Sequence, residues 1–370
     1  MPAERSLKRA VAKERQPIHR MNDNFLAVQD IIIPQEVSEY REDSCVIYDS
    51  GQADDKRLIV FSNSQLIEHA RSAERFQMDG NFSKAPKCYN NGTTNHGQLY
   101  SIHAERNGIS VPIFYVLMKQ RTQNEYTRLF QFLITTGFNP RFIITDMEMA
   151  VINAVSAVFP DAAHTLCYYH LQESLYSWIK TNGMAPRYND SNSSAFRKLV
   201  NKFSALAFVP VEHVLAGWHI LNREIDANFT DDLDAEQFQS HFGSSFVGRL
   251  REDGSRSRPR YALQKWNQYN NVMNERSRTN NKVEGWHSGL NHWNHYDHPS
   301  LFRLINIIKS DMDRSRILIV QNNPAPRRRT YRDLDAQIFN QCQLTFQNQN
   351  ITEQTLNQFM SNVANIFHFY

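Results

Sequence analysis

The chain has 370 residues, of which 41% are apolar and 21% are charged, with a formal net charge of +3. This composition excludes an intrinsically disordered or fibrous protein, because enough apolar side chains are present to form a core. The longest apolar run, residues 113–118, is far shorter than the about 20 residues that span a bilayer, so no membrane-spanning segment is expected. Four scattered cysteines without a CxxC pair disfavour a disulfide framework or a zinc finger and predict a protein of a reducing compartment.

Lysine and arginine are concentrated in three segments. Residues 1–20 hold six Lys/Arg against two Glu, residues 249–260 hold five Arg against two acids, and residues 314–332 hold six Arg and no acid. Clustered positive charge on a nearly neutral chain is typical of a surface that meets phosphate groups. Solvated loops or tails are the alternative interpretation of each cluster taken alone.

The first predicted elements are short strands. Residues 58–61 form a strand candidate, and a helix is expected near residues 65–73. Three strands follow, one around Asp79 and two at residues 98–104 and 111–118, and the sequence Asn107-Gly108 predicts a hairpin turn between the last two.

Helices then alternate with strands. The capping sequence Thr122-x-x-Glu125 precedes apolar positions at helical spacing. A strand at residues 142–145, a helix over residues 151–159, a strand at residues 164–167 and a helix near residues 171–179 follow. The order β-β-β-α-β-α-β-α predicts a mixed α/β sheet covered by helices, which is the order of a ribonuclease-H-like core.

The remaining sequence predicts a helical insertion within that core. Residues 181–195 are polar and read as a linker, and the pattern to about residue 275 is helical without strand alternation. The predicted organisation is an N-terminal segment (1–74), the first part of the core (75–180), the helical insertion (181–275), completion of the core (276–315) and a C-terminal tail (316–370). A terminal helix is expected within the tail.

Three acids are candidates for catalysis. Asp79 lies within the first core strand and Asp146 ends the fourth, which runs beside and parallel to the first in a ribonuclease-H-like sheet. Glu284 lies beside the apolar face of a predicted helix. Carboxylates held close together repel each other unless cations bind between them, and hard oxygen ligands favour Mg²⁺ or Mn²⁺. A purely structural role is the alternative for each acid alone.

Several segments together resemble the DDE/D transposase domain of Mutator-like elements, the MULE family. They are MDGNFSKAPK (78–87), QLYSIHAERNGISVPIFYVLM (98–118), TQNEYTRLFQFL (122–133), ITDMEMAVINAVSAVFPDA (144–162), CYYHLQESL (167–175) and TNNKVEGWHSGLN (279–291). The resemblance implies that Asp79, Asp146 and Glu284 form the catalytic triad and bind two divalent ions. It also implies cleavage of element ends, their transfer to target DNA, and a nuclear location; a homodimer is expected by analogy.

Other residues have less defined roles. Cys167 and His170 match the CxxH signature of the family, and a metal role and structural hydrogen bonding both remain open. Zinc is not expected, because only two ligands can be named where three or four are needed. His287 is a possible neighbour of the scissile phosphate or a half-buried helix histidine. DNA contacts are predicted for Arg256, Arg258, Arg260, Arg327, Arg328 and Arg329.

The sequence leaves three functions open. The first is an active metal-dependent strand-transfer enzyme. The second is a transposase-derived DNA-binding or regulatory protein, considered because no N-terminal zinc-binding recognition module is visible in the sequence. The third is a ribonuclease H acting on RNA/DNA hybrids, against which the NNKVEGWH block argues.

Overall fold

The computed structural model describes residues 27–89, 97–190, 194–293, 297–324, 329–347 and 350–367. The chain divides into two compact units. The first comprises the described residues up to Ala163 together with those from Asn280 to Pro324, and the second comprises His164–Thr279 and the described residues from Arg329 onward. Within these ranges, no helix combines the length and the apolar character needed to cross a membrane.

The strands precede most of the helices in the chain. In the described residues they are β1 (Glu39–Tyr40), β2 (Asp43–Ser44), β3 (Val46–Asp49), β4 (Leu58–Phe61), β5 (Arg75–Asn81), β6 (Gln98–Arg106), β7 (Ile109–Met118), β8 (Phe142–Thr145) and β9 (Ala163–Leu166).

The α-helices are numbered in chain order over the same residues. They are α1 (Gln35–Ser38), α2 (Ser64–Arg71), α3 (Gln123–Thr135), α4 (Met149–Val158), α5 (Tyr168–Thr181), α6 (Ala185–Asn189), α7 (Ala195–Ala205), α8 (Val214–Asn228), α9 (Leu233–Phe242), α10 (Leu263–Trp266), α11 (Tyr269–Met273), α12 (Asn281–Trp293), α13 (Leu301–Gln321), α14 (Arg329–Phe346) and α15 (Glu353–Ile366). Short 3₁₀ turns lie at Lys87–Tyr89, Leu206–Phe208 and Val211–His213, and a π-helical turn lies at Gly243–Val247.

The largest sheet has seven strands in the order β3-β4-β7-β6-β5-β8-β9. Neighbours from β3 to β5 are antiparallel, whereas β5 and β8 are parallel. The predicted mixed α/β fold is therefore confirmed, and its sheet is compatible with a ribonuclease-H-like core. The sequence indicated β4 but not β3, so one more strand extends the antiparallel side.

Alternation along the central strands separates two faces of the sheet. Phe76 of β5 packs against Phe138 with ring centroids 4.6 Å apart, on the face that also contacts α3. The opposite face carries Tyr115 of β7, whose hydroxyl donates a hydrogen bond of 2.7 Å to Asp311 of α13. Because side chains alternate with a period of two, Asp79 lies on this second face.

The turn between β6 and β7 forms as predicted, and the capping box at the start of α3 forms in part. Asn107 and Gly108 both have positive φ, 51° and 77°, as a tight turn between β6 and β7 requires. Thr122 accepts a hydrogen bond from the Glu125 N–H at the start of α3. The reciprocal half of the predicted capping box is wrong, because the Glu125 carboxylate pairs with Arg128 at 2.7 Å instead.

The second unit is mainly helical and has an aromatic core. Phe203, Trp218, Phe238 and Phe242 contact one another with ring centroids 5.1 to 6.4 Å apart. Within this unit Leu250 and Arg256 form an isolated antiparallel bridge. The pairing is too short and too rich in arginine to give an alternating apolar signal.

Candidate active site

A stripe of buried polar side chains crosses the sheet on the face opposite α3. Gln77, Asp79 and Asn81 of β5 are 1%, 9% and 8% exposed. In the antiparallel register Asp79 is opposite Ser101 of β6, and Gln77 is opposite His103. The strand places alternate polar residues on one face and Phe76 and Met78 on the other, so a carboxylate is held within an otherwise apolar sheet.

Asp146 reaches the same place from the neighbouring parallel strand. Gln77 of β5 is level with Ile144 of β8, and two further residues along each strand bring Asp79 level with Asp146. The backbone N–H of Glu148 donates to Asp146 Oδ1 over 3.2 Å. This hydrogen bond orients the Asp146 carboxylate at the point where the strand ends.

Glu284 is supplied by helix α12, which packs against the polar face. Val283 and Leu290 of this helix are buried. The ring of Trp286 lies 5.1 Å from that of His103, and its Nε1 donates to Asp311 over 2.8 Å. These contacts fix α12 over β5 and β6 and hold Glu284 near the two aspartates.

The pKa of Asp79 reports the convergence of the acids. Burial, then the charge of Asp146, and then the charges of Glu284 and Glu148 raise this pKa from 3.8 to about 8, against a smaller lowering by the Gly80 N–H. All three predicted catalytic acids therefore interact electrostatically. A fourth acid, Glu148, joins them.

Glu148 is held by a buried hydrogen-bond chain on the α3 side. Tyr126 donates its hydroxyl proton to Glu148 Oε2 over 2.9 Å, and the Gln98 amide donates to the Tyr126 oxygen over 2.7 Å. Burial first, and then the charge of Asp146, raises the pKa of Glu148. The sequence left Glu148 as either a neighbouring acid or a favourable charge at a helix start, and its electrostatic effect on Asp79 favours the first interpretation.

His287 of α12 lies beside the first acid. Its Nδ1 is 3.7 Å from Asp79 Oδ2, and its Nε2 is 3.5 Å from Ser101 Oγ. Burial lowers the pKa of His287 to about 4, while that of Asp79 is raised to about 8. Near neutral pH both groups are uncharged without a cation, so this contact is not an ion pair.

An ionic clamp ties α12 to the sheet. Lys282 Nζ lies 2.8 Å from Glu105 Oε1 and donates to the Gly108 carbonyl over 3.1 Å. The other carboxylate oxygen of Glu105 accepts from Gln77 Nε2 over 3.0 Å. Through Glu105 the clamp links Lys282, two positions before Glu284, with Gln77, two positions before Asp79.

Sequence reasoning missed the residues that support the acids. The network includes Gln77, Gln98, Ser101, His103, Glu105, Tyr126, Lys282 and Asp311. A usable signal was present in the alternation of polar residues at 77, 79 and 81 and at 101, 103 and 105. In a buried strand such a polar stripe indicates a covered polar face rather than a solvated one.

The donor set fits divalent cations. Asp79, Asp146, Glu148 and Glu284 provide carboxylate oxygens only, the ligand type that Mg²⁺ and Mn²⁺ prefer. Burial first, and then the charges of the neighbouring acids, raise the pKa of Asp79, and a bound cation would offset the repulsion among these carboxylates. The residues present are therefore suited to hold such ions.

Cys167 and His170 lie in the second unit, at the start of α5. Cys167 is the buried N-cap residue of this helix, and His170 is half-buried in its first turn. The i, i+3 spacing places them one turn apart. Their role stays a prediction.

The predicted DNA-binding arginines fall into three groups. Arg256 is half-buried, whereas Arg258 and Arg260 are exposed. Arg329 begins α14, is exposed, and lies 3.5 Å from Asp333. Arg327 and Arg328 lie outside the described residues.

Comparison with known families and proteins identifies one segment. The family model of the MULE transposase domain matches residues 87–174, which include β6 to β9 and the first half of α5. No curated protein matches the chain at a significant level. The resemblance seen in the sequence motifs is thus confirmed over residues 87–174, where the chain is similar to the MULE transposase domain.

Proposed function

We propose that this chain is a transposase-like enzyme that cuts DNA and transfers the cut strand, with two Mg²⁺ or Mn²⁺ ions held by Asp79, Asp146 and Glu284. The observation that carries the proposal is geometric: the register of β5 and β8 brings Asp79 level with Asp146, and α12, which carries Glu284, places His287 3.7 Å from Asp79. Two divalent metal ions bound at such a site would activate a water or a 3′-hydroxyl and would stabilise the leaving oxygen of the phosphodiester.

The protein's own residues prepare this site. Asp79 releases its proton when cations bind, since their charge offsets the repulsion among the carboxylates. Tyr126 fixes Glu148, and the Lys282–Glu105 clamp fixes the helix that carries Glu284. In its neutral form His287 can donate its ring N–H to a phosphate oxygen without adding charge.

The proposal extends to architecture and partners. The second unit would be a helical insertion in a ribonuclease-H-like core, because His164–Thr279 comes between the second and third acids in the chain. DNA, as element ends and target, would be the substrate, as the matched domain suggests. A homodimer and a nuclear location complete the proposal, and ultracentrifugation and imaging of a tagged chain test these two features.

A plasmid-nicking and strand-transfer assay tests the activity. The wild-type chain is mixed with supercoiled DNA, or with a duplex ending in a free 3′-hydroxyl, with Mg²⁺, Mn²⁺ or EDTA. We expect metal-dependent products that Asp79→Asn, Asp146→Asn and Glu284→Gln reduce by at least about 100-fold, since each removes a ligand of the reacting centre. Asp161→Asn, which changes an exposed acid of the same unit, is the matched control.

Three outcomes distinguish the candidate functions. A folded wild-type chain that makes no product on any DNA with either metal would refute the enzyme. DNA binding that persists in the absence of any cleavage would favour the regulatory, transposase-derived alternative. Cleavage of RNA/DNA hybrids but not of duplex DNA would favour a ribonuclease H.

A further inference from the structure

The arginine-rich segment of the second unit forms an ordered β-hairpin, here called the basic hairpin and comprising residues 248–260. Leu250 and Arg256 form its antiparallel bridge. Outside the bridge the Ser257 N–H donates to the Arg249 carbonyl, and the Arg251 N–H donates to the Ser255 carbonyl, both over 2.8 Å. This segment, which the sequence analysis assigned to a helical insertion, thus has the backbone hydrogen bonds of a hairpin.

The tip of the hairpin is closed by local hydrogen bonds. Asp253 Oδ1 accepts from the Ser255 N–H over 2.8 Å, and the Gly254 N–H donates to the Arg251 carbonyl over 3.0 Å. Gly254 has a φ of 79°, which a glycine adopts without strain. The carboxylate at the tip is thus engaged within the turn.

The base of the hairpin is attached to the aromatic core. Gly248 has a φ of 93°, and a Cβ at this position would lie 2.1 Å from the Ser257 carbonyl oxygen. The Tyr261 N–H donates to the Ser245 carbonyl over 2.8 Å, and the Tyr261 ring stacks on Phe246 with centroids 5.5 Å apart. Both ends of the hairpin are therefore held by contacts with packed residues.

Arg256 differs from the other arginines of the hairpin. It donates to the Gly248 carbonyl over 2.9 Å, and its other terminal nitrogen lies 3.3 Å from His219 Nε2. Arg256 therefore supports the hairpin, and its predicted contact with DNA stays a prediction that the proposal below does not use.

Four other arginines belong to the hairpin, and one of them, Arg260, also lies over the Tyr261 ring, 5.4 Å from its centroid. Arg249, Arg251, Arg258 and Arg260 are exposed, and none forms an ion pair with any residue in the described ranges. Two other exposed arginines are neutralised by acids: Arg223 lies 2.6 Å from Glu353, and Arg141 lies 2.7 Å from Glu74. Positive charge held without a counterion on a fixed backbone is suited to a polyanion.

The spacing of the groups favours a nucleic-acid backbone. Arg249 and Arg251 are two positions apart on one strand, so they share a face and lie about 6.6 Å apart along it. This distance is close to two successive phosphate steps along the axis of one DNA strand, each of which is about 3.4 Å. Ser257 lies opposite Arg249, and its hydroxyl accepts from the Arg249 N–H, which leaves the hydroxyl proton to donate to a phosphate oxygen.

We propose that the basic hairpin binds the phosphate backbone of duplex DNA through Arg249, Arg251, Arg258 and Arg260. This inference rests on the proposed function for the choice of DNA as partner. It adds a binding surface away from the acids in sequence, with two arginines, Arg249 and Arg251, that the sequence did not single out. Guanidinium groups form paired hydrogen bonds with phosphate oxygens, so binding would depend strongly on salt.

The test measures DNA affinity by fluorescence anisotropy at several salt concentrations, with EDTA present so that no cleavage occurs. Each phosphate contact adds about 0.9 to the slope of log affinity against log salt. The double variant Arg249→Gln/Arg251→Gln should therefore lower the slope by about 1.8, while Arg223→Gln, a paired arginine of the same unit, should leave it unchanged. Circular dichroism and thermal melting verify that the exposed substitutions leave the fold intact.

The outcomes separate this inference from the proposed enzyme. A lowered slope with normal folding supports the hairpin, whether or not metal-dependent nicking is observed. An unchanged slope overturns the hairpin and leaves the nicking result to decide the enzyme separately. Tighter binding to single-stranded RNA than to duplex DNA, with the same dependence on Arg249 and Arg251, overturns the assignment of the partner.

Discussion

Replacing Asp79 by asparagine should stabilise the metal-free protein, and increasingly so as the pH rises. The pKa of this carboxyl is about 8 in the folded chain and 3.8 as a free reference. The folded state therefore binds the proton more tightly than the unfolded state, so stability falls as the pH rises from 3.8 to about 8 and levels off above. Asparagine does not ionise, so the stability of the variant does not fall with pH for this reason.

The size of the effect follows from the two pKa values. Each pKa unit corresponds to about 1.4 kcal/mol. At pH 5 ionisation of the unfolded chain alone gives the Asp79→Asn variant an advantage of about 2 kcal/mol, and at pH 9 the advantage reaches about 6 kcal/mol. The gain between these pH values is therefore about 4 kcal/mol.

Urea denaturation of both proteins at pH 5, 7 and 9 in EDTA measures this difference. In a second arm, Mn²⁺ is added at pH 7, where it should raise the denaturation midpoint of the wild-type chain and have little effect on Asp79→Asn. An advantage of asparagine that does not change with pH would refute the account of Asp79 as a carboxyl held neutral by burial and by its acidic neighbours.

Two further sets of substitutions test the residues that support the acids. Gly80→Ala should destabilise the fold by about 1–3 kcal/mol, because the new Cβ would lie 2.0 Å from Gln98 Oε1. Gln98 cannot move away freely, since it donates a hydrogen bond to Tyr126, which in turn holds Glu148. A denaturation midpoint equal to that of the wild type would contradict this prediction. Glu105→Gln and Lys282→Met should each raise the metal concentration needed for half-maximal binding, measured by calorimetry. The two changes should be non-additive by about 1 kcal/mol, and strict additivity would mean that the clamp does not act as a unit.

The position of Asp79 beside Asp146 could be predicted because it depends on strand order. Parallel neighbouring strands end at the same edge, so two acids far apart in sequence become level once the order is known. The clamp could not be predicted in this way. Which lysine meets Glu105 depends on the position of α12 over the sheet, and that position is set by packing of Trp286 against His103 and Asp311.

Element ends were also beyond the reach of periodicity. The apolar pattern indicated α13 to residue 312, but the helix continues to Gln321 and ends where Asn322 adopts a φ of 45°. Residues 313–316 are polar or charged and interrupt the apolar pattern, and residues 317–320 are uniformly apolar and show no helical period, so only the left-handed asparagine marks the end. The basic hairpin was missed because its two short strands contain arginine and serine rather than alternating apolar residues.

The discontinuity of the first unit has a consequence for the order in which the protein becomes competent. Two of the acids are synthesised before His164, whereas Glu284 emerges only after the whole segment to Thr279 has been translated. A nascent or prematurely terminated chain would hold Asp79 and Asp146 without their third companion. If the chain cuts DNA as proposed, the nuclease would become active only after the interrupting segment has been synthesised. The order of the chain would thus prevent DNA cleavage by incomplete polypeptides.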